Sequence, residues 1–187
     1  MDYLKRYDKH GIESFALSAI TQSFSNSYGA YIKPKGTNNF DFVSEDGLSA
    51  LEVTLVVPKN VMEAYRYEKE QKRGKQNLSL NKIKNVKLTD DGRLFYYYGG
   101  SVGEIKAGIL GAIKEKKASK RKSASDVEKV DLCICIEDGG LFNLQTFERY
   151  INIEKDNVFE NIFFITSRFI RYNKDTGFEE YKLIFKT

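Results

Sequence analysis

The tightest constraint on the fold is the run Val130-Asp-Leu-Cys-Ile-Cys-Ile136, which is apolar on both faces apart from Asp131. Successive side chains of a strand point to opposite faces, so a strand apolar on both needs cover from both sides. An interior strand of a sheet held between helices meets that need, and an α/β chain is expected. Ile162-Phe-Phe-Ile-Thr166 reads as a second buried strand. Cys133 and Cys135 lie two apart in the first run and share a face. Neighbours at that spacing are poor disulfide partners and too few for a metal site, which leaves them as core residues of a reducing compartment.

The expected helices come before and between these strands. Over residues 3–26 the apolar side chains Ile12, Phe15, Ala16, Ala19, Ile20 and Phe24 recur at three and four, with a polar stop at 25–29. Glu13 falls near the edge of that stripe and either reaches solvent or leans toward the sheet. Ser101-Val-Gly-Glu104 has capping-box spacing and predicts a helix from Val102 to Ser119 or beyond, burying Ile105, Ile109, Ala112 and Ile113. Gly108 and Gly111 permit close packing of that helix on a sheet. At about 100° per residue, Lys116 continues the centre of the stripe, Lys120 falls at its side and Lys117 toward its rim. Lysines so placed snorkel outward or meet an anion. Shorter helices are expected at 61–72 and 144–151.

A hairpin is expected over 38–59, turning at Glu45-Asp46-Gly47. In its second strand Leu51, Val53, Leu55 and Val57 share one face, and Ala50, Glu52, Thr54 and Val56 the other. Glu52 therefore sits in the middle of a mostly apolar strand, and Asp41 lies between Phe40 and Phe42. Two carboxylates brought together by a hairpin repel one another unless a proton or a cation lies between them. A hard divalent ion such as Mg²⁺ suits carboxylate oxygens; pairing with lysine is the structural alternative. Tyr31-Ile32-Lys33 is a brief extended piece, and further hairpins are expected over 85–98 and between 169–172 and 181–185.

Net charge is +4, and the basic residues are clustered. Residues 59–87 hold nine Lys or Arg against three Glu, with Lys72, Arg73 and Lys75 at the centre. Residues 114–122 hold six basic side chains, Lys114, Lys116, Lys117, Lys120, Arg121 and Lys122, against one acidic. A helix dipole favours cations at a C-terminus whatever the protein does, while the functional reading of such a cluster is contact with phosphates of nucleic acid. A length of 187 residues suits one domain over 1–187. The single histidine, His10, offers no basis for a zinc site, and no Gly-x-Ser-x-Gly elbow, Walker loop or dinucleotide fingerprint occurs. No run of about 20 apolar residues is present, so a soluble, cytoplasmic protein without membrane contact is expected.

Taken in order, the helix, the acid-bearing hairpin, the lysine-ended helix and the buried strand resemble the PD-(D/E)XK, or restriction-endonuclease-like, nuclease superfamily over residues 3–136. The resemblance implies a restriction-endonuclease-like core, a central mixed β-sheet flanked by α-helices. It also implies a metal-dependent DNA endonuclease using Mg²⁺, with Mn²⁺ as a substitute, acting as a homodimer or in a larger complex. The family's acids would correspond to Glu13, Asp41 and Glu52, with the Val53 carbonyl as a further ligand. Phe40 stands where the motif has Pro, and Thr54 where it has the catalytic Lys. Some members with Glu-x-Thr carry the lysine on the following helix. By that pattern Lys117 is the first choice, whereas periodicity favours Lys116, and the two stay open. The alternative implied by Thr54 is a catalytically inactive nucleic-acid-binding module, or an interaction subunit of a larger nucleic-acid-processing assembly.

Overall fold

The structure is a computed structural model that describes residues 9–24, 30–34, 40–59, 61–63, 86–88, 94–96, 101–123, 127–137, 142–154 and 157–182, with backbone alone at 86–88, 94–96 and 119–123. Strand β6 (Lys129–Ile136) lies inside a mixed seven-stranded sheet of order β1-β2-β3-β6-β7-β8-β9. It runs parallel to both neighbours, β3 (Ser49–Val56) and β7 (Asn161–Ile165). Every residue from Val130 to Ile136 is buried, as its double-sided apolar pattern requires. Asp131 is accommodated by hydrogen bonds from Asn161, whose backbone N–H and Nδ2 donate to Oδ1 at 2.9 and 3.0 Å.

Two cores follow from the alternation. Cys133 and Cys135 join Leu51, Val53, Phe163 and Phe169 beneath α1 (Lys9–Ser23), which contributes Ala16, Ala19 and Ile20. On the other face Leu132 and Ile134 join Ala50, Val56 and Phe164 beneath α2 (Val102–Ser123) and α3 (Leu144–Tyr150). Burial of the Cys133 thiol pushes its pKa well up, so it stays protonated and acts as a small apolar residue.

The outer strands are β1 (Tyr31–Ile32) and β2 (Phe42–Ser44) on one side and β8 (Phe169–Asn173) and β9 (Gly177–Tyr181) on the other, all antiparallel to their neighbours. The β2–β3 turn has Gly47 at φ +75°, and Asp46 accepts hydrogen bonds from Ser44 Oγ at 2.6 Å and the Leu48 N–H at 3.0 Å. Strand β9 starts at Gly177, earlier than the expected 181, because Gly177 takes φ +81° and lets the chain pair again directly after the turn. Strands β4 (Val86–Leu88) and β5 (Leu94–Tyr96) form the expected separate hairpin. Of the helix expected over 61–72, residues 61–63 are helical and the remainder lies outside the described residues.

Helix α2 begins beside the C-terminal end of β3 and runs back along it. Ser101 Oγ accepts from the Glu104 N–H at 3.2 Å, as a capping box requires. The Glu104 carboxylate turns instead to the Lys59 N–H at 2.8 Å, pinning the helix start to the end of β3. A Cβ at Gly108 would lie 2.7 Å from Val56 Cγ1, so the close approach expected of the helix glycines belongs to Gly108; Gly111 has open space.

Candidate active site: a carboxylate pair bridged by a lysine

Helix geometry carries Lys116 to the acids. From Gly108 to Lys116 the helix advances about 12 Å, and four residues of strand from Val56 back to Glu52 cover about 13 Å. With Gly108 against Val56, Lys116 therefore arrives over Glu52, on the stripe already used by Ile105, Ile109 and Ile113. Its ammonium donates to Glu52 Oε2 and lies 3.8 Å from Asp41 Oδ2. Of the two lysines left open above, Lys116 is the one that lies beside the acids. Lys117, turned about 100° around the helix, pairs with Glu154 at 3.5 Å instead.

Asp41 reaches the same place from β2. The ladder pairs Phe42 with Leu51, so the Val53 N–H, two residues on, points to the same side with no further β2 residue opposite. Asp41 Oδ2 accepts that N–H at 2.8 Å. The side chain thus ends the β2–β3 ladder and turns its charge to the sheet rim, where Lys116 approaches Oδ2 and Lys9 of α1 lies 3.7 Å from Oδ1.

Glu13 occupies the opposite face. It leans toward the sheet and is buried, 4% exposed, and it accepts from Lys33 Nζ at 2.9 Å, with Lys9 Nζ at 3.4 Å. Lys33 Nζ also lies 2.8 Å from His10 Nδ1, so the lone histidine is an exposed neighbour of this ion pair. Lys9 touches both Glu13 and Asp41, so a chain of charges runs around the rim from Glu13 through Lys9, Asp41 and Lys116 to Glu52.

The electrostatics differ along that chain. Burial raises the Glu52 pKa, the Asp41 charge raises it further, and Lys116 offsets only part of this. Burial also opposes ionisation of Glu13, but the ammonium groups of Lys33 and Lys9 together hold its pKa below the usual value. The charges of Asp41 and then Glu13 push the Lys9 pKa up.

Other expected contact residues are dispersed. Lys114 is exposed on α2, and Lys120, Arg121 and Lys122 lie in its last turns. Lys72, Arg73 and Lys75 fall outside the described residues. Among the described residues no group of three or more His, Cys, Asp or Glu gathers as a metal-ligand set. Also among them, no helix is long and apolar enough to cross a membrane. Lys9, Lys33 and Glu154 were not expected at these positions. The Lys9–Glu13 spacing is a readable i,i+4 pair, whereas the partners Lys33 and Glu154 come from distant parts of the chain.

No family model, curated protein or solved structure matches this chain. Its fold and site define an α/β domain with a lysine-bridged carboxylate pair at the rim of a mixed sheet.

Proposed function

We propose that this chain is a Mg²⁺-dependent phosphodiesterase of the restriction-endonuclease-like kind, cutting DNA at the rim bearing Asp41, Glu52 and Lys116. The observation that carries the reading is the convergence of two carboxylates and one ammonium from three separate elements. The donor set suits a hard divalent ion: carboxylate oxygens of Asp41 and Glu52, with the Val53 carbonyl on the same side of the strand as the N–H that Asp41 takes. Burial raises the proton affinity of Glu52 and the nearby Asp41 charge adds to it, so a cation between the two acids would favour the ionised form.

A bound Mg²⁺ or Mn²⁺ would supply Lewis acidity toward a phosphate oxygen and a water of lowered pKa. Asp41 and Glu52 would hold it, while Lys116, within reach of both acids, would donate to the phosphate as charge develops. Glu13 stands behind Lys9, which fixes the other oxygen of Asp41; its role is to keep that ammonium, and so Asp41, in place. Lys114, Lys120, Arg121 and Lys122 would contact the nucleic-acid backbone without reading sequence.

A second reading, a nucleic-acid-binding module that does not cut, draws support from Lys116 already neutralising Glu52 in an ion pair and from Thr54 in the strand. Plasmid, linear and single-stranded DNA incubated with Mg²⁺, Mn²⁺ or EDTA separates the two. Cleavage that needs metal and falls by roughly 100-fold or more in both Asp41→Ala and Glu52→Ala supports the enzyme. DNA retention by every form with no cleavage by any supports the module. Within the first outcome, Lys116→Ala is expected to abolish cleavage while calorimetry still finds metal binding, and Lys117→Ala to cut.

A further inference from the structure

The far side of α2 carries a second feature that the carboxylate site does not use. A cleft of about 510 Å³ opens between α2 and the segment following α3. Its apolar wall is Leu110, Ile113 and Ile153, and its charged rim is Lys114, Lys117 and Glu154. That volume lies in the range of small-ligand sites, and an apolar lining with a few convergent polar groups is their usual composition.

Asn157, on the floor, is held in place. The Asn157 N–H bonds the Glu154 carbonyl at 3.0 Å, and the Asn157 side chain exchanges two hydrogen bonds with the backbone of Phe159, which is buried in the core. Lys114 and Lys117, three apart on one helix, face the same side. The Lys117 side chain is only 16% exposed, whereas that of Glu154, its partner at 3.5 Å, is 80% exposed. An ion pair with so exposed a partner is weak. A phosphate monoester carries more charge and more acceptor oxygens than this carboxylate, so it competes well for the two ammonium groups.

We propose that this cleft binds a nucleoside monophosphate, free or as the 5′ end of a strand, with its phosphate on Lys114 and Lys117 and its base against Leu110, Ile113 and Ile153. The class, a phosphate monoester on a flat apolar body, rests on the cleft alone; the choice of a nucleotide within that class rests on the nucleic-acid reading above. Lys116 turns to Glu52 while Lys117 turns here, so α2 presents one lysine to each site.

The test is calorimetric titration of the full chain in EDTA with AMP, adenosine, inorganic phosphate, and a short DNA strand with or without a 5′-phosphate. AMP is expected to bind, and adenosine and phosphate each at least tenfold more weakly. Lys117→Met should weaken AMP about tenfold, and Glu154→Gln, by removing the competing carboxylate, should tighten it. Preference for the 5′-phosphorylated strand over AMP identifies a strand end as the occupant; the reverse identifies a free nucleotide. The proposal is overturned if AMP and the 5′-phosphorylated strand both bind more weakly than about 1 mM, or if folded Lys117→Met and Glu154→Gln bind as wild type does. Because EDTA excludes metal-dependent cleavage, failure here leaves the phosphodiesterase reading intact, and failure to cut DNA leaves this one intact.

Discussion

Glu13 and Glu52 are the same residue type, both almost wholly buried, and they sit on opposite faces of one sheet with opposite proton affinities. Glu13 has two ammonium groups, Lys33 and Lys9, reaching in from the surface, and they hold it ionised despite its burial. Glu52 shares one lysine with a neighbouring carboxylate, and burial and Asp41 together raise its pKa. Burial is the largest influence on both acids, and they differ in whether the ammonium groups beside them together outweigh it. At Glu13 the neighbouring ammonium groups outweigh burial, and at Glu52 they do not.

The largest expected effect attacks the Glu52 side. Lys116→Met strands two carboxylates with no shared ammonium and should cost about 3 kcal/mol in urea unfolding at pH 7. The loss should shrink as pH falls, because Glu52, its pKa raised chiefly by burial, takes up a proton before an ordinary carboxylate does. An unchanged midpoint at pH 7 would break the contrast, because Glu52 would then not depend on its lysine.

A pair of amide substitutions sharpens it. With its pKa lowered, Glu13 contributes stability that is present above the ordinary carboxylate range and is lost as pH falls through its folded value. Glu13→Gln should thus cost about 1–2 kcal/mol at pH 7 and approach wild type in acid. Glu52 has the reverse sign. Its raised pKa means that its contribution is fully present below the ordinary range and is lost as pH rises through the folded value. Glu52→Gln should therefore unfold within about 1 kcal/mol of wild type at pH 7, on the stable side, with the difference closing in acid. Equal losses in both variants at pH 7 would contradict the comparison.

The smallest effect concerns the link between the two sites. Lys9 is 78% exposed at its side chain and bonds Glu13 and Asp41 from the solvent side. Lys9→Ala should cost no more than about 0.5 kcal/mol at ordinary ionic strength. A tenfold weaker metal titration in that variant would nonetheless show that Lys9 positions Asp41.

The features readable beforehand were those set by near neighbours in the chain. Double-sided hydrophobicity placed β6, the period of α2 placed Lys116 on the buried stripe, and Asp46-Gly47 marked the β2–β3 turn. Periodicity pointed to Lys116 and the nuclease resemblance to Lys117; Lys116 lies beside the acids and Lys117 meets Glu154. Partners supplied over a distance left no local trace. Lys33 reaches Glu13 from β1, Glu154 reaches Lys117 from beyond α3, and Glu104 leaves its own cap for Lys59. The counter-ions that decide each acid's charge were therefore mostly invisible, even where the acid itself was evident.

Asp41 also serves as a stopper, because its oxygen on the Val53 amide closes a sheet border that β2 leaves half covered. Alanine there would remove the charge and reopen that border to a stray strand, whereas asparagine keeps an acceptor for the amide and discards only the charge. A form lacking this charge but still well behaved is therefore to be sought in Asp41→Asn, and greater aggregation of Asp41→Ala alone would show that the side chain guards the border.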